Sequence, residues 1–247
     1  MSNNFYFYLK IYNMNNFENR ETNSSIVDQS FLLYRNSAQL HNDCLDYLST
    51  LENNLSLTFS RAFQESSFFC KKAYPTINVS SLLLEDQIKV FFDKLLEFES
   101  QNQAVGFVVF LQSQGLLTLN QAGYYISLIN LIIENQNEKP IIVTSSLLGY
   151  QNTLLLRTDI NPNELPLMIA MSTGAVASFN YWRNVKLDSN NPWNSNTNAL
   201  KIPNWLNKGL RDLGGFVIGG IAGGLVAGPA GAVAGATLVG GAFSGAE

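Results

Sequence analysis

His41, Asp43, Cys44 and Asp46 fall within six residues of one another, and these residue types could do chemistry. On a helix, Cys44 stands about one turn from His41, the spacing that a thiol–imidazole nucleophile pair needs. No third group at a recognisable position supports such a pair. His41 is also the chain's one histidine, and without a histidine partner it makes a poor metal ligand. Its expected role is packing or surface. Glu85 with Asp86, and Glu97 with Glu99, read as solvated helix faces. The segment from Asp188 alternates Asp and Asn as a calcium loop does, but Pro192 replaces a ligand and the glycine is missing. The motifs GxSxG, HExxH, GxxxxGK[ST] and GxGxxG are absent. The expectation is a protein that is not an enzyme, with no catalytic, cofactor-binding or metal residues and no cofactor.

Composition narrows the remaining classes. The 247 residues suffice for one sizeable domain plus an appendage. Charged residues make up 14%, against about 25% in ordinary chains. The net charge of −4 leaves no basic footprint, so nucleic acid is not an expected partner. Cys44 and Cys70 form neither a CxxC motif nor a disulfide framework; buried apolar roles are expected for both.

The most informative segment is the last one. From Gly214 to Glu247 the chain carries no charge before its terminal glutamate, and 12 of the 18 glycines lie there. They are ordered at a four-residue step. One row is Gly215, Gly219, Gly223, Ala227, Gly231 and Gly235. A second is Gly220, Gly224, Gly228, Ala232, Ala236, Gly240 and Ser244. Residues four apart share a helix face, so each row is a groove that another helix can approach to backbone contact. As one helix the segment would reach about 50 Å, against a hydrocarbon core of about 30 Å. Pro229 divides it into arms of about 15 to 17 residues, each somewhat short of a span. The geometry expected is a helical hairpin with Gly228–Pro229 at or near the bend. Its ten strongly apolar residues contribute roughly −3 to −6 kcal/mol towards insertion. Glycine opposes helix formation by about 1 kcal/mol each relative to Ala. Insertion of one arm alone is near balance, and helix packing has to help. Burial in a soluble assembly, with the tail held against its own domain until triggered, is the competing expectation.

The remaining elements must carry this tail. Residues 26–186 read as a helical domain. Leu40, Cys44, Leu45, Leu48, Leu51, Leu55 and Phe59 recur at three- and four-residue steps, as one face of a long helix. A polar, aromatic-dotted stretch follows through Pro75. Ser80 and Ser81 can cap a helix carrying Ile88, Phe91, Phe92, Leu95, Leu96 and Phe98. The run 105–111 is readable as helix or strand, and its short connections favour helix. Asn120 is placed as a cap for the helix of Tyr124 to Ile132. Pro140 opens an apolar segment, and Asn163 starts a helix through Trp182. Tyr181, Trp182 and Arg183 close that helix as a core end or as a docking surface. Residues 187–200 are an Asn/Ser-rich linker. Residues 201–213 form an amphipathic lead-in, in which Trp205, Lys208 and Arg211 suit a membrane–water interface. Residues 1–25 read as disordered or as a short strand, with Met14 as an alternative start. They show no standard signal peptide. The fold class expected is all-α: a multi-helix soluble domain with a C-terminal Gly/Ala-rich helical hairpin.

The pattern GGxxxGGxxGGxxxGPxGAxxG, read from Gly214 to Gly235, resembles the glycine-zipper segments of bacterial membrane proteins. It is also similar to the Gly-rich mature regions of colicin V-type bacteriocins and to insertion segments of some antibacterial effectors. The resemblance covers about 34 of 247 residues. It implies inner-membrane insertion, with depolarisation or pore formation. The 200 or so residues that precede the Gly-rich part depart from the bacteriocin pattern. The partners it implies are a lipid bilayer, other copies through the tail, and a chaperone or secretion partner. Such a protein would be membrane-associated, or secreted without a standard signal peptide. A scaffold whose tail is only an anchor or oligomerisation element is the alternative.

Overall fold

Two prolines in first helical turns and two capping threonines set much of the helical frame. In the computed structural model, residues 23–52, 54–77, 85–96, 101–157, 159–193 and 204–246 are described. Their elements are helical: α1 (Asn23–Ser49), α2 (Phe59–Ala73), α3 (Glu85–Leu96), α4 (Gln101–Ser113), α5 (Leu119–Glu134), α6 (Pro140–Leu156), α7 (Leu165–Leu187) and α8 (Asn204–Gly245). A 3-10 turn, Asn54–Ser56, joins α1 to α2. The fold is all-α, as its periodicities indicate.

Local chemistry explains the boundaries. Thr58 adopts an extended backbone and its side chain accepts a hydrogen bond from the Arg61 N–H, which starts α2. The stripe that runs on from Leu48 to Phe59 is therefore two helices with a break at residues 50–58, not one long helix. The stretch read as polar up to Pro75 is mostly α2. Thr118, not Asn120, caps α5. It forms a capping box with Gln121, each side chain bonding the other's backbone N–H. Pro140 occupies the first turn of α6, where its missing N–H costs nothing. The ambiguous run at 105–111 lies inside α4. Ser80, Ser81, Glu97, Phe98 and Glu99, residues 1–22 including Met14, and residues 194–200 of the 187–200 segment lie outside the described residues.

The element α8 decides the architecture. Its backbone is helical over 42 residues, yet it is not a rod. Gly228 has φ of 62°, a left-handed conformation that only glycine adopts readily. Beyond it the chain returns antiparallel to itself. A β-carbon placed on Gly219 or Gly223 would collide with the carbonyl oxygen of Gly235 or Gly231 respectively. One on Gly215 would stand 2.7 Å from the carbonyl oxygen of Val239. Residues 16 apart would be about 24 Å apart along a straight helix, so these contacts require a hairpin.

The hairpin is the centre of the bundle. Helices α7, α1 and α2 pack most extensively against α8, with α3 completing one side. Phe216, Val217, Leu238, Val239 and Phe243 are all at most 2% exposed. Phe243 is ringed by Phe59 and Phe92, at centroid distances of 6.1 and 5.3 Å. The outward glycines admit the sheath closely: Gly214 meets Leu95, Gly241 meets Cys44 and Ser66, and Gly245 meets Leu48. Helices α5 and α6 extend this core by packing on each other and on α7, and α4 packs on α5 and α3.

Candidate functional site

The candidate site is the hairpin together with the side chains that hold its base. The first glycine row faces across the hairpin, as Gly215, Gly219 and Gly223 oppose Gly240, Gly235 and Gly231. The second row flanks that seam more loosely. A β-carbon on Gly224 would lie 3.3 Å from the Ala232 methyl, and one on Gly220 would lie 4.0 Å from the Ala236 methyl. Gly228 forms the bend and Pro229 follows it. Gly240 lies under the imidazole of His41, where an added β-carbon would come within 3.1 Å of Nδ1.

At the base stands a buried carboxylate that the sequence pattern does not single out. Asp212 is 1% exposed. Its Oδ2 accepts hydrogen bonds from Ser178 Oγ at 2.6 Å and Trp182 Nε1 at 3.1 Å, both on α7. Its Oδ1 accepts from Ser244 Oγ at 2.6 Å, at the end of the second arm. His41 Nε2, from α1, stands 2.6 Å from the same oxygen. That approach falls outside hydrogen-bond geometry, and neither ring nitrogen has a hydrogen-bond partner. The His41–Asp212 contact is therefore electrostatic and is strongest when the imidazole is protonated. One carboxylate thus binds two sheath helices to both arms of the hairpin.

Lys208, one helical turn before Asp212, reinforces the base. It is 5% exposed. Its ammonium lies over the rings of Trp182 and Trp193, at 5.2 and 4.9 Å, where the ring faces attract a cation. It also donates to the carbonyl of Ser244 at 3.5 Å. Lys208 therefore does not lie at an exposed interfacial face, contrary to what its amphipathic spacing implies. The reason is the aromatic box that α7 and Trp193 place around it. Arg211 is half-buried, and the Trp205 side chain lies outside the described residues. Trp193, read as part of a polar linker, is 2% exposed and donates to the Leu45 carbonyl at 3.3 Å. Tyr181 donates to Asp46 at 2.9 Å and Trp182 to Asp212, so both close the core beside the hairpin base.

The arrangement is poorly suited to nucleophilic chemistry. Cys44 is wholly buried, and desolvation pushes its thiol up to about 12, which leaves almost no thiolate at neutral pH. Cys70 is likewise raised by burial. A crevice lined by Ile132, Ala175, Phe179, Leu206 and Gly209 has about 10 Å³ of free space, room for about one water molecule. Among the described residues no cluster of three His, Cys, Asp or Glu side chains could hold a metal ion.

Fold and site together define a helical bundle built around an internal, glycine-faced hairpin that is clamped at its base. No family model, curated protein or solved structure matches the chain.

Proposed function

We propose that this is a non-enzymatic bacterial protein that stores a membrane-associating hairpin inside its own helical sheath. The observation that carries the reading is the glycine seam. It makes the hairpin a unit whose backbone hydrogen bonds and closest contacts are internal, so it can leave the sheath without losing them. Lipid demands that property of any segment it admits. The outward surface, with Phe216, Val217, Leu238 and Phe243, can exchange apolar protein for apolar acyl chains.

Length sets the mode of entry. Among the described residues no helix is long and apolar enough to cross a membrane. The segment from Gly214 to the bend, about 14 residues, reaches about 21 Å, short of the roughly 30 Å hydrocarbon core. The hairpin therefore enters from one side with its bend leading, rather than spanning as two helices. Ala230, next to the bend, is exposed, and Gly228 is half-buried, so this end is already nearest to solvent. Self-association through the tail then proceeds by exchange of arms between copies, because the first glycine row is already occupied within the hairpin. In this reading the protein acts as a bacteriocin-like or effector-like membrane-active agent.

The test uses the full chain and vesicles of phosphatidylglycerol and phosphatidylethanolamine. Co-sedimentation with the vesicles is expected, and release of entrapped dye is expected with it. Binding without release identifies an anchor and sinks the membrane-active reading. Neither binding nor release reduces the hairpin to a structural core.

A further inference from the structure

Polar contacts are unevenly distributed along the hairpin. At its base, Asp212 and Ser244 join His41, Ser178 and Trp182 in one buried cluster. Lys208 adds its ammonium beneath two tryptophan rings and bonds the end of the second arm. Toward the bend, the side-chain hydrogen bonds to the hairpin among the described residues are fewer and involve no charged group. Ser37 donates to the Val233 carbonyl at 3.3 Å, and Cys70 to the Ala234 carbonyl at 3.7 Å. Among the described residues, the rest of that end is held by apolar and glycine contacts. Apolar contacts are non-directional and can be replaced by lipid. A buried carboxylate with three hydrogen-bond donors cannot be moved into lipid at similar cost.

From this asymmetry we infer that the Asp212 cluster is an autoinhibitory clasp: it adds to the apolar packing the one restraint on the hairpin that lipid cannot replace. The inference rests on the hairpin being the stored membrane element and names what restrains it. Asp212 is the pivot because its carboxylate touches α1, α7 and the second arm at once. Ser244 is the link specific to the second arm. The clasp accounts for a costly feature, a buried carboxylate and a buried ammonium in the core of a chain with few charges. It predicts that weakening Asp212 loosens the hairpin more than the outer helices α5 and α6.

The measurement is amide hydrogen exchange without lipid, on the full chain, for Asp212→Asn, Ser244→Ala and a control, Leu111→Ala. Leu111 is wholly buried on α4, away from the clasp, so its truncation weakens the fold generally. The clasp predicts exchange of the 214–245 amides at least about tenfold faster in Asp212→Asn, with α5 and α6 accelerated distinctly less. Ser244→Ala should accelerate the second arm most, and it serves if Asp212→Asn does not fold. Leu111→Ala should leave the 214–245 segment no faster than α4 and α5. Equal acceleration of hairpin and sheath in both clasp variants overturns the proposal. Because no lipid is present, that failure is separate from failure of the membrane reading. A hairpin that opens in Asp212→Asn yet ignores vesicles would leave the clasp standing and the membrane function wrong.

Discussion

Gly219→Ala is expected to destabilise the protein by about 3 kcal/mol, reversing the usual sign of this substitution in a helix. Within a helix, replacing glycine by alanine ordinarily stabilises by up to about 1 kcal/mol, because the unfolded chain loses less freedom on folding. At Gly219 the added methyl would collide with the Gly235 carbonyl, on backbone that has no rotamer with which to yield. The arms must separate, which opens the seam and strains the sheath around it. Gly106→Ala provides the contrast. Gly106 lies within α4, is exposed, and would offer an added β-carbon nothing within 4 Å. That variant should gain about 0.5–1 kcal/mol. Urea denaturation of both proteins reads the difference as opposite shifts in midpoint. A Gly219→Ala protein as stable as the parent would mean that the two arms do not touch. Leucines at Gly219 and Gly223 are too severe to probe association in a bilayer alone, since they would break the stored hairpin first.

Ending the chain after Leu213 should abolish cooperative folding. The lost segment includes Phe216, Val217, Leu238, Val239 and Phe243, none more than 2% exposed. Burial of each such side chain contributes about 1.5–3 kcal/mol, and a typical domain is stable by only about 5–15 kcal/mol. The remaining helices would surround a void lined by Phe59, Phe92, Leu48 and Leu95. Such a shell keeps helix content but loses fixed packing. Circular dichroism should show retained far-UV helicity, a flattened near-UV signal, no sharp thermal transition and increased binding of an apolar dye. A cooperative transition with an unchanged near-UV spectrum would show that the tail is an appendage and not the core. For the same reason the shortened chain cannot serve as a folded control in vesicle experiments.

The sequence disclosed the hairpin well and its surroundings poorly. A four-residue step from Gly215 to Gly235, glycine everywhere except Ala227, sacrifices helix propensity at nearly every turn, which close helix packing makes worthwhile. Gly228–Pro229 marked the bend because one residue tolerates positive φ and the next lacks an N–H. The all-α class followed from apolar periodicity, which depends on local spacing. That same periodicity ran through the break at residues 50–58, because Leu51 and Leu55 keep the step while Thr58 starts a new helix. The clasp was harder to see. Asp212 looked like one more polar residue of an amphipathic lead-in, and Lys208 like an interfacial cation. Their burial depends on α1 and α7, which are distant in sequence. One signal for His41 was present: it falls three or four residues from Ser37, Ala38, Cys44 and Leu45 and seven from Leu48, all of which are buried. A histidine on that stripe needs a buried partner, and Asp212 is the last acidic residue before the glycine tail.

The most direct test places a polarity-sensitive thiol label at the bend, in Ala230→Cys. Ala230 is exposed, and the native thiols are buried, with Cys44 pushed up to about 12, so labelling falls on the introduced cysteine. Emission is then followed as vesicles of phosphatidylglycerol and phosphatidylethanolamine carrying quenchers at known depths are added. A bend that leads the hairpin into the hydrocarbon gives a blue shift together with quenching by the deep acyl-chain quencher. An unshifted emission that only aqueous quenchers reach, with vesicles in excess, would contradict it.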